Sequence, residues 1–99
     1  MFQVIKRDGE KVDFTLPKIN DAIMKAFHAT QMQYSNDIVD LLALRVSADF
    51  QDKVKDGSIH VEDIQDSVEK VLEQAGYTEA AKAYILYRKQ REKMRTMKS

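Results

Sequence analysis

The sequence is short of several residue types, and each shortage excludes a class of function. The 99 residues include no cysteine, which excludes a disulfide framework, a cysteine-ligated zinc site and a cysteine nucleophile or thiyl radical within this chain. There are only three glycines, and they form neither a glycine-rich phosphate loop nor a GxGxxG motif, while GxSxG and HExxH motifs are also missing. No catalytic set is recognisable, so we expect a domain that binds a ligand without turning it over.

Long apolar runs are also missing from the chain. No stretch approaches the ~20 apolar residues that cross a bilayer, and the N-terminus leads directly into a strand pattern rather than a signal peptide. We therefore expect no membrane partner and a cytoplasmic location. With 43% apolar and 32% charged residues, the composition is typical of a single globular domain with one modest core.

The formal net charge is zero, but the charge is distributed unevenly. Residues 82–99 carry seven basic side chains and one acidic side chain, Glu92. Basic segments of this kind often meet phosphates or nucleic acid. The alternative is a solvated helix end whose cations complement the negative end of the helix dipole.

Residues 4–18, reading VIKRDGEKVDFTLPK, contain the strongest local signals. Asp8-Gly9 between two short apolar runs predicts a β-hairpin, because Gly9 tolerates the positive φ of a tight turn. A helix is predicted to begin directly afterwards, with Thr15 capping it through its hydroxyl and Pro17 in its first turn.

Three cations of this stretch, Lys6, Arg7 and Lys18, are expected to converge beside the start of that helix. Unpaired N–H groups and the positive end of the helix dipole favour anions at such a point. The pattern therefore predicts an anion site. The alternative is that all three are solvated surface charges, which is the usual state of lysine and arginine.

Apolar residues at three- and four-residue spacing predict four helices. The first carries Leu16, Ile19, Ile23 and Phe27 and is followed by a loop at residues 28–35. The second is capped by Ser35 or Asn36, ends at Asp56-Gly57 and buries Ile38, Leu41, Leu42, Val46, Phe50 and Val54. The third starts near Glu62 and closes at Ala75-Gly76, and the fourth spans roughly Glu79 to Lys93.

The fourth helix is apolar on most sides, so we expect it to run through the centre of the bundle and under the sheet. Residues 58–61 are short and β-branched, and they predict a third strand that joins the hairpin. Tyr84 and Tyr87 could stack on a nucleobase or belong to the core. The carboxylates of the third helix are read as its solvated face, and His28 as a surface residue, rather than as metal ligands.

Several segments, in the right order, resemble the ATP-cone domain. They are VIKRDG at residues 4–9, Phe14, Lys18-Ile19, Ala22-Ile23, Lys25-Ala26, VEDIQ at residues 61–65, and AAKAYILYRKQR at residues 80–91. The resemblance covers nearly the whole chain. Its opening and its ending are most similar to those of anaerobic, oxygen-independent ribonucleoside-triphosphate reductases.

The resemblance implies a fold, ligands and partners. The implied fold is α+β, a four-helix bundle capped by a small three-stranded sheet. ATP-cones are regulatory domains of ribonucleotide reductases that sense ATP as activator and dATP as inhibitor, and Mg²⁺ can accompany the nucleotide. The implied partners are adenine nucleotides, the reductase catalytic domain and, through the cone, another copy of the chain. Residues 1–93 would form the cone, and residues 94–99 a basic tail or linker to a missing catalytic region.

The nucleotide-site residues follow from the same motifs. Matched to the family, the site would contain Val4, Lys6, Arg7, Thr15, Lys18, Val61, Gln65, Arg88 and Arg91. The two arginines match the YR-x-x-R ending and are expected to meet phosphates. Val12 stands where many cones have an acidic or polar residue, so the resemblance does not imply a ribose contact from that position.

Two other functions remain open at this point. One is the cone of a nucleotide-dependent transcriptional repressor of reductase genes. That family places a zinc ribbon before the cone, which this chain lacks, so we do not expect DNA as a partner. The other is a nucleotide-free helical protein-interaction module. Because no catalytic set is present, we expect the chain to be a fragment of a longer enzyme.

Overall fold

Across residues 2–98, which the computed structural model describes, the chain forms four α-helices and three short strands. The elements in chain order are β1 (Gln3–Ile5), β2 (Lys11–Asp13), α1 (Leu16–Ala29), α2 (Asn36–Phe50), a 3₁₀ turn (Gln51–Lys53), β3 (Ser58–His60), α3 (Val61–Gln74) and α4 (Thr78–Lys98). The side chains of residues 95–99, which include part of the expected basic tail, lie outside the described part of the chain. Among residues 2–98, no helix combines the length and the apolar character needed to cross a membrane.

The sheet has β1 at its centre. β1 pairs antiparallel with β2 and parallel with β3. The turn between β1 and β2 is closed by two backbone bonds, in which Lys6 donates to Glu10 (2.8 Å) and Gly9 donates to Lys6 (2.9 Å). Gly9 has φ 90°, so the predicted use of glycine in a positive-φ turn is confirmed, and so is the third strand.

The four helices form a closed ring in which each packs on two neighbours, in the order α1, α2, α3, α4. Most of the largest fully buried side chains are apolar residues of the helices: Ile23, Phe27, Val39, Leu42, Val46, Phe50, Val68 and Leu72. The sheet is fastened to one end by an aromatic cluster. Phe2 stacks on Phe14 (ring centroids 4.5 Å apart), and both meet Phe50 edge-on at 5.8 and 5.6 Å. The predicted α+β fold, a helical bundle with a sheet cap, is confirmed.

The bundle therefore has two distinct ends. At the sheet end, α1 begins shortly after β2, α3 begins directly after β3, and α2 finishes at Phe50. At the far end lie the connection between α1 and α2, at residues 30–35, and the turn between α3 and α4, at residues 75–77.

The prediction for the second helix was wrong at its end and on part of its face. α2 ends at Phe50 rather than at Asp56-Gly57, and Val54 is extended (φ −73°, ψ 121°) while packing against the core. Gly57 adopts a positive φ of 75°, as expected, but it does so in a turn closed by a backbone bond from Ser58 to Lys55 (3.1 Å). Leu41 is 53% exposed. α2 has apolar residues on several sides, so the spacing did not fix which of them face inward.

The prediction that the fourth helix runs through the centre of the bundle was also wrong. α4 is one wall of the ring and packs on α1 and α3. Ala80, Ala81 and Tyr84 are buried, whereas Leu86 is 60% exposed. The helix begins at Thr78 and its backbone continues to Lys98, beyond the predicted end at Lys93.

Candidate functional site

A single pocket at the sheet end brings together all of the residues that the sequence motifs assigned to a site. It encloses about 270 Å³ between the sheet and the helices α1, α3 and α4. The residues from the sequence that line it are Val4, Lys6, Arg7, Thr15, Lys18, Val61, Gln65, Arg88 and Arg91. The volume is close to the lower end of the range for small-molecule sites, roughly 300–1,000 Å³.

The pocket has a charged mouth and an apolar interior, and α1 shows this in its first two turns. Thr15 and Lys18, at the start of the helix, are exposed and line the pocket. Ile19 and Ala22 lie further along the same face and are buried and half-buried, respectively. In α3 the half-buried Val61 is likewise followed by lining residues that are buried further along the helix.

α4 contributes a continuous stripe of lining residues at helical spacing. Exposure rises along it from the buried Tyr84, through the half-buried Tyr87 and Arg88, to the exposed Arg91. The C-terminal half of α4 therefore lies at the mouth, beside the N-termini of α1 and α3. Lys6 and Arg7, which follow β1, add two more cations to the lining.

The two helices that begin at the pocket have no side-chain cap within the described part of the chain. Thr15 is the N-cap of α1, but its hydroxyl accepts no capping bond, so the predicted capping role was wrong. His60 at the N-cap of α3 makes none either. Ser35 at the far end, in contrast, accepts a bond from the Ile38 N–H at 3.3 Å. Uncapped N–H groups and two positive dipole ends at one mouth favour an anionic ligand.

The cations at the mouth differ in their partners. Lys6 has a long ion pair with Glu10 at 3.8 Å. Arg7 donates to the Gln65 side-chain oxygen at 3.3 Å and pairs with Glu92 at 3.7 Å. These pairs are partly exposed and therefore weak. They hold the cations near the pocket and leave them able to exchange partners with a ligand.

Lys18 has neither an ion pair nor a side-chain hydrogen bond to any residue from 2 to 94. It is exposed, and it lies in the first turn of α1, where a cation opposes the positive end of the helix dipole. An anion bound in the pocket would therefore stabilise the Lys18 ammonium at the start of α1.

Arg88 has a different environment from the other cations. Its side chain is 18% exposed, and the guanidinium donates to Asp66 at 2.8 Å and to Glu69 at 2.9 Å. Burial acts to lower the pKa of Arg88, but the hydrogen bonds to the two carboxylates outweigh burial and raise it above the ordinary value. The charge of Arg88 is therefore permanent and already compensated, so this part of the lining attracts phosphate less than the mouth does.

Two carboxylates of α3 thus have a structural partner on α4. Asp66 and Glu69 fix the Arg88 guanidinium across the α3–α4 contact. Among the residues with described side chains, no group of three or more His, Asp or Glu residues is arranged to hold a metal ion. His28 lies at the far end, where its Nε2 is 2.8 Å from the Tyr34 hydroxyl.

The two tyrosines of α4 belong both to the pocket and to the packing of the bundle. Tyr84 is 5% exposed, and burial raises the pKa of its hydroxyl. The Tyr87 ring lies beneath the Lys25 ammonium (5.5 Å) and the Arg91 guanidinium (5.9 Å). Of the two roles considered from the sequence, core packing is confirmed for Tyr84, and stacking on a nucleobase stays a prediction.

The pocket has a second group of lining residues, most of them apolar, that the motif assignment leaves out. Tyr84 and Tyr87, considered from the sequence as residues that could stack on a nucleobase, belong to this group, and so does Val12. The others are Asp13, Phe14, Ile19, Ala22, Ile64, Val68 and Glu92. Helical spacing carried a signal for several of them, since Ile19 and Ala22 follow Thr15 along one face of α1.

The fold and the pocket define a small α+β ligand-binding domain with a mouth that favours anions. Residues 2–93 match the ATP cone domain, and the chain belongs to that family.

Relatives of this chain include ribonucleotide reductases of three kinds. The chain is 41% identical to the ribonucleoside-diphosphate reductase subunit alpha of Chlamydia pneumoniae, over 96% of the chain and 10% of that protein. It is 40% identical to a vitamin B12-dependent ribonucleoside-diphosphate reductase of Thermoplasma acidophilum, over 97% of the chain and 13% of the relative. It is 35% identical to the anaerobic ribonucleoside-triphosphate reductase of Haemophilus influenzae, over 99% and 14%. The chain thus spans about a tenth to a seventh of the length of these relatives.

Proposed function

We propose that the pocket binds ATP and dATP and that the domain uses this binding to set the overall activity of a ribonucleotide reductase, with ATP as activator and dATP as inhibitor. The observation that carries this proposal is the convergence of nine motif residues, from the hairpin, α1, α3 and α4, on one pocket. These residues are far apart in the sequence, and a surface without a ligand would not require them to meet.

The distribution of charge in the pocket supports one orientation of the nucleotide. The triphosphate would lie at the mouth, against Lys6, Arg7, Lys18 and Arg91 and the uncapped starts of α1 and α3. The base would enter between the apolar residues further in. Magnesium, if it enters with the nucleotide, would be held mainly by phosphate oxygens.

Sensing requires that ATP and dATP stabilise different arrangements of the domain. The two ligands differ by one hydroxyl, so their opposite effects must come from an interaction, or a ring pucker, that depends on the 2′-OH. A hydrogen bond that the 2′-OH of ATP makes and dATP cannot make is worth about 1–3 kcal/mol. This is enough to shift a two-state equilibrium about tenfold.

The partners of the domain follow from the same proposal. A catalytic region of a reductase would respond to the nucleotide, and a cytoplasmic location would supply both nucleotides. Self-association through the cone remains a prediction. Leu41 and Leu44 on α2, 53% and 58% exposed, are the first residues to substitute in a test of nucleotide-dependent dimer formation by light scattering.

An anaerobic ribonucleoside-triphosphate reductase remains our preferred parent enzyme. The relatives support a reductase in general, since identities of 41%, 40% and 35% to three kinds of enzyme do not separate one kind from the others.

The test is calorimetric titration of the 99-residue chain with ATP, dATP and GTP. We expect both adenine nucleotides to bind at micromolar concentration, GTP to bind more weakly, and binding to be lost in a Lys6→Ala, Lys18→Ala double variant. A Lys11→Ala, Lys82→Ala variant removes the same number of charges from exposed positions that do not line the pocket, and it should bind as the wild type does.

Absence of heat with any nucleotide, together with an unchanged fold by circular dichroism, would contradict the proposal. The nucleotide-free interaction module would then be the better account. Equal losses in the two double variants would show a general charge effect and no defined site.

A further inference from the structure

Tyr84 is the one polar lining residue of the pocket that is buried. Its side chain is 5% exposed, while the charged, amide and hydroxyl residues of the lining, and Tyr87, are half-buried or exposed. It lies on α4 about two turns inward from Arg91, at the end of the pocket that faces the bundle core.

The hydroxyl of Tyr84 has no partner within the part of the chain whose side chains are described. Among residues 2–94 it makes no hydrogen bond. No fully enclosed side-chain oxygen or nitrogen among these residues lacks a partner, so the Tyr84 oxygen keeps some accessible surface, and Tyr84 lines the pocket. Buried tyrosine hydroxyls usually find a hydrogen-bond partner, and a molecule in the pocket can supply the one that residues 2–94 do not.

Tyr84 borders two cavities. It lines the main pocket and also a groove between α1 and α4 that contains Lys25. Arg88, one turn further along α4, lines the main pocket and not the groove, and it bonds to Asp66 and Glu69 of α3. We take the main pocket, which also contains the polar residues assigned from the motifs, as the cavity that supplies a partner for the hydroxyl.

The surroundings of the hydroxyl suit a neutral polar group better than a phosphate. The nearest cation along the helix, Arg88, is held by two carboxylates, so no net positive charge is available there. The weakly paired cations and the helix N-termini are at the mouth, on the opposite side of the apolar lining.

We propose that the Tyr84 hydroxyl hydrogen-bonds to the edge of the adenine base, which makes Tyr84 a base-contacting residue of the site. This inference rests on the nucleotide binding proposed above. A phenol can both donate to a ring nitrogen and accept from an amino group, so either edge of the base satisfies it.

The test compares Tyr84→Phe with the wild-type chain, using ATP and inorganic tripolyphosphate as separate probes. Tyr84→Phe keeps the ring and removes only the hydroxyl. We expect the Kd for ATP to rise about three- to tenfold, while the Kd for tripolyphosphate, which has no base, stays unchanged. Without ligand, the Tm of the variant should equal or exceed that of the wild type, because no protein hydrogen bond is lost.

Tyr34→Phe is the matched control. The Tyr34 hydroxyl is bonded to His28 at the far end, so its removal should lower the Tm and leave both Kd values unchanged.

Three results would overturn the assignment. An unchanged Kd for ATP in Tyr84→Phe, with the wild type binding normally, would show that the hydroxyl does not touch the ligand. Equal losses for ATP and tripolyphosphate would place the hydrogen bond on phosphate. A wild-type chain that binds neither probe would contradict the proposed function itself, and the role of Tyr84 with it.

Discussion

Two helices of this domain start with a hydroxyl residue at the N-cap, and the two residues behave differently. Ser35 caps α2 at the far end through a bond from the Ile38 N–H. Thr15 precedes α1 at the sheet end and accepts no such bond, although the sequence suggested a cap at both places. At the far end the side chain of the N-cap residue caps the helix. At the pocket the N-cap residue leaves the first N–H groups of the helix without a side-chain cap.

The contrast extends to the surroundings of the two helix starts. At the far end Phe27 stacks on Tyr34 (5.3 Å) and meets Tyr77 edge-on (5.2 Å). The Thr30 hydroxyl donates to the Phe27 carbonyl oxygen at 3.0 Å, and the Tyr77 N–H to the Leu72 carbonyl oxygen at 2.9 Å. At the pocket mouth Lys6 and Arg7 have long, partly exposed ion pairs. Lys18 has no ion pair with any residue from 2 to 94. We therefore expect far-end changes to alter stability and mouth changes to alter binding.

The largest expected effect is at the far end. Phe27→Ala removes a ring with 0% exposure and leaves a cavity inside the helix ring, which should lower the free energy of unfolding by about 3–5 kcal/mol. Urea denaturation followed by circular dichroism measures this. A loss below about 1 kcal/mol would mean that the far end is not the stable part of the domain.

The next effect is on binding. Lys18→Glu places an acid in the first turn of α1, which should leave stability unchanged or raise it by about 0.3–1 kcal/mol. It removes a cation from the mouth and adds a repulsive charge, so nucleotide affinity should fall by about a hundredfold. Lys11→Glu is the control, since it makes the same charge change at an exposed position that does not line the pocket. Similar affinity losses in both variants would contradict a defined anion site at the mouth.

A third change tests the α2–α3 contact, which lies on the side of the bundle away from the pocket. Ser67, 1% exposed, donates to the Asp49 carboxylate at 2.7 Å, and Lys70 pairs with the same carboxylate at 3.0 Å. These interactions tie α2 to α3 on the face away from the pocket. Ser67→Ala should lower the free energy of unfolding by about 1.5–3 kcal/mol near neutral pH, with no change in nucleotide affinity.

The same link gives a pH dependence. The hydrogen bond from Ser67, opposed by burial and helped by Lys70, holds the pKa of Asp49 below its unfolded value of 3.8. A carboxyl group with a lowered folded pKa stabilises the fold above the unfolded pKa, and this contribution is lost as the pH falls through the folded pKa. The difference in unfolding free energy between wild type and Ser67→Ala should be smaller near pH ~3 than near pH ~7. A difference that widens on acidification would contradict this account.

The smallest expected effect concerns the difference in capping between Ser35 and Thr15. Ser35→Ala should cost about 1 kcal/mol of unfolding free energy, the usual value of an N-cap. Thr15→Ala should cost less than about 0.5 kcal/mol, because no capping bond is lost. Thermal denaturation of the two variants side by side measures the difference, and equal losses would mean that Thr15 caps α1 in solution.

Much of the fold could be predicted from local patterns. Positive φ at Gly9, the apolar face of α1 and the limits of α3 each follow from a short segment whose signals agree. The end of α2 could not be predicted, because Val54 fits the helical stripe and yet reaches the core from an extended segment. The place of α4 in the ring depends on how four helices share one core, which no single segment records.

The candidate site, too, could be predicted only in part from the sequence. The motifs named nine residues that line one pocket, but they did not distinguish Arg88, which is held by two carboxylates, from Lys18, which has no ion pair with residues 2–94. That distinction depends on Asp66 and Glu69, which lie 22 and 19 residues from Arg88 and on a different helix. The missing partner of the Tyr84 hydroxyl likewise becomes visible only when the packing around α4 is known.

The most direct test of the central claim is a map of backbone amide chemical shifts of the ¹⁵N-labelled chain during titration with dATP. We predict shift changes concentrated at residues 4–7, 15–22, 61–68 and 84–92, with the far-end residues 28–40 and 74–79 unaffected. No shift changes at saturating nucleotide, or changes centred on the far end, would contradict a nucleotide site at the sheet end of the bundle.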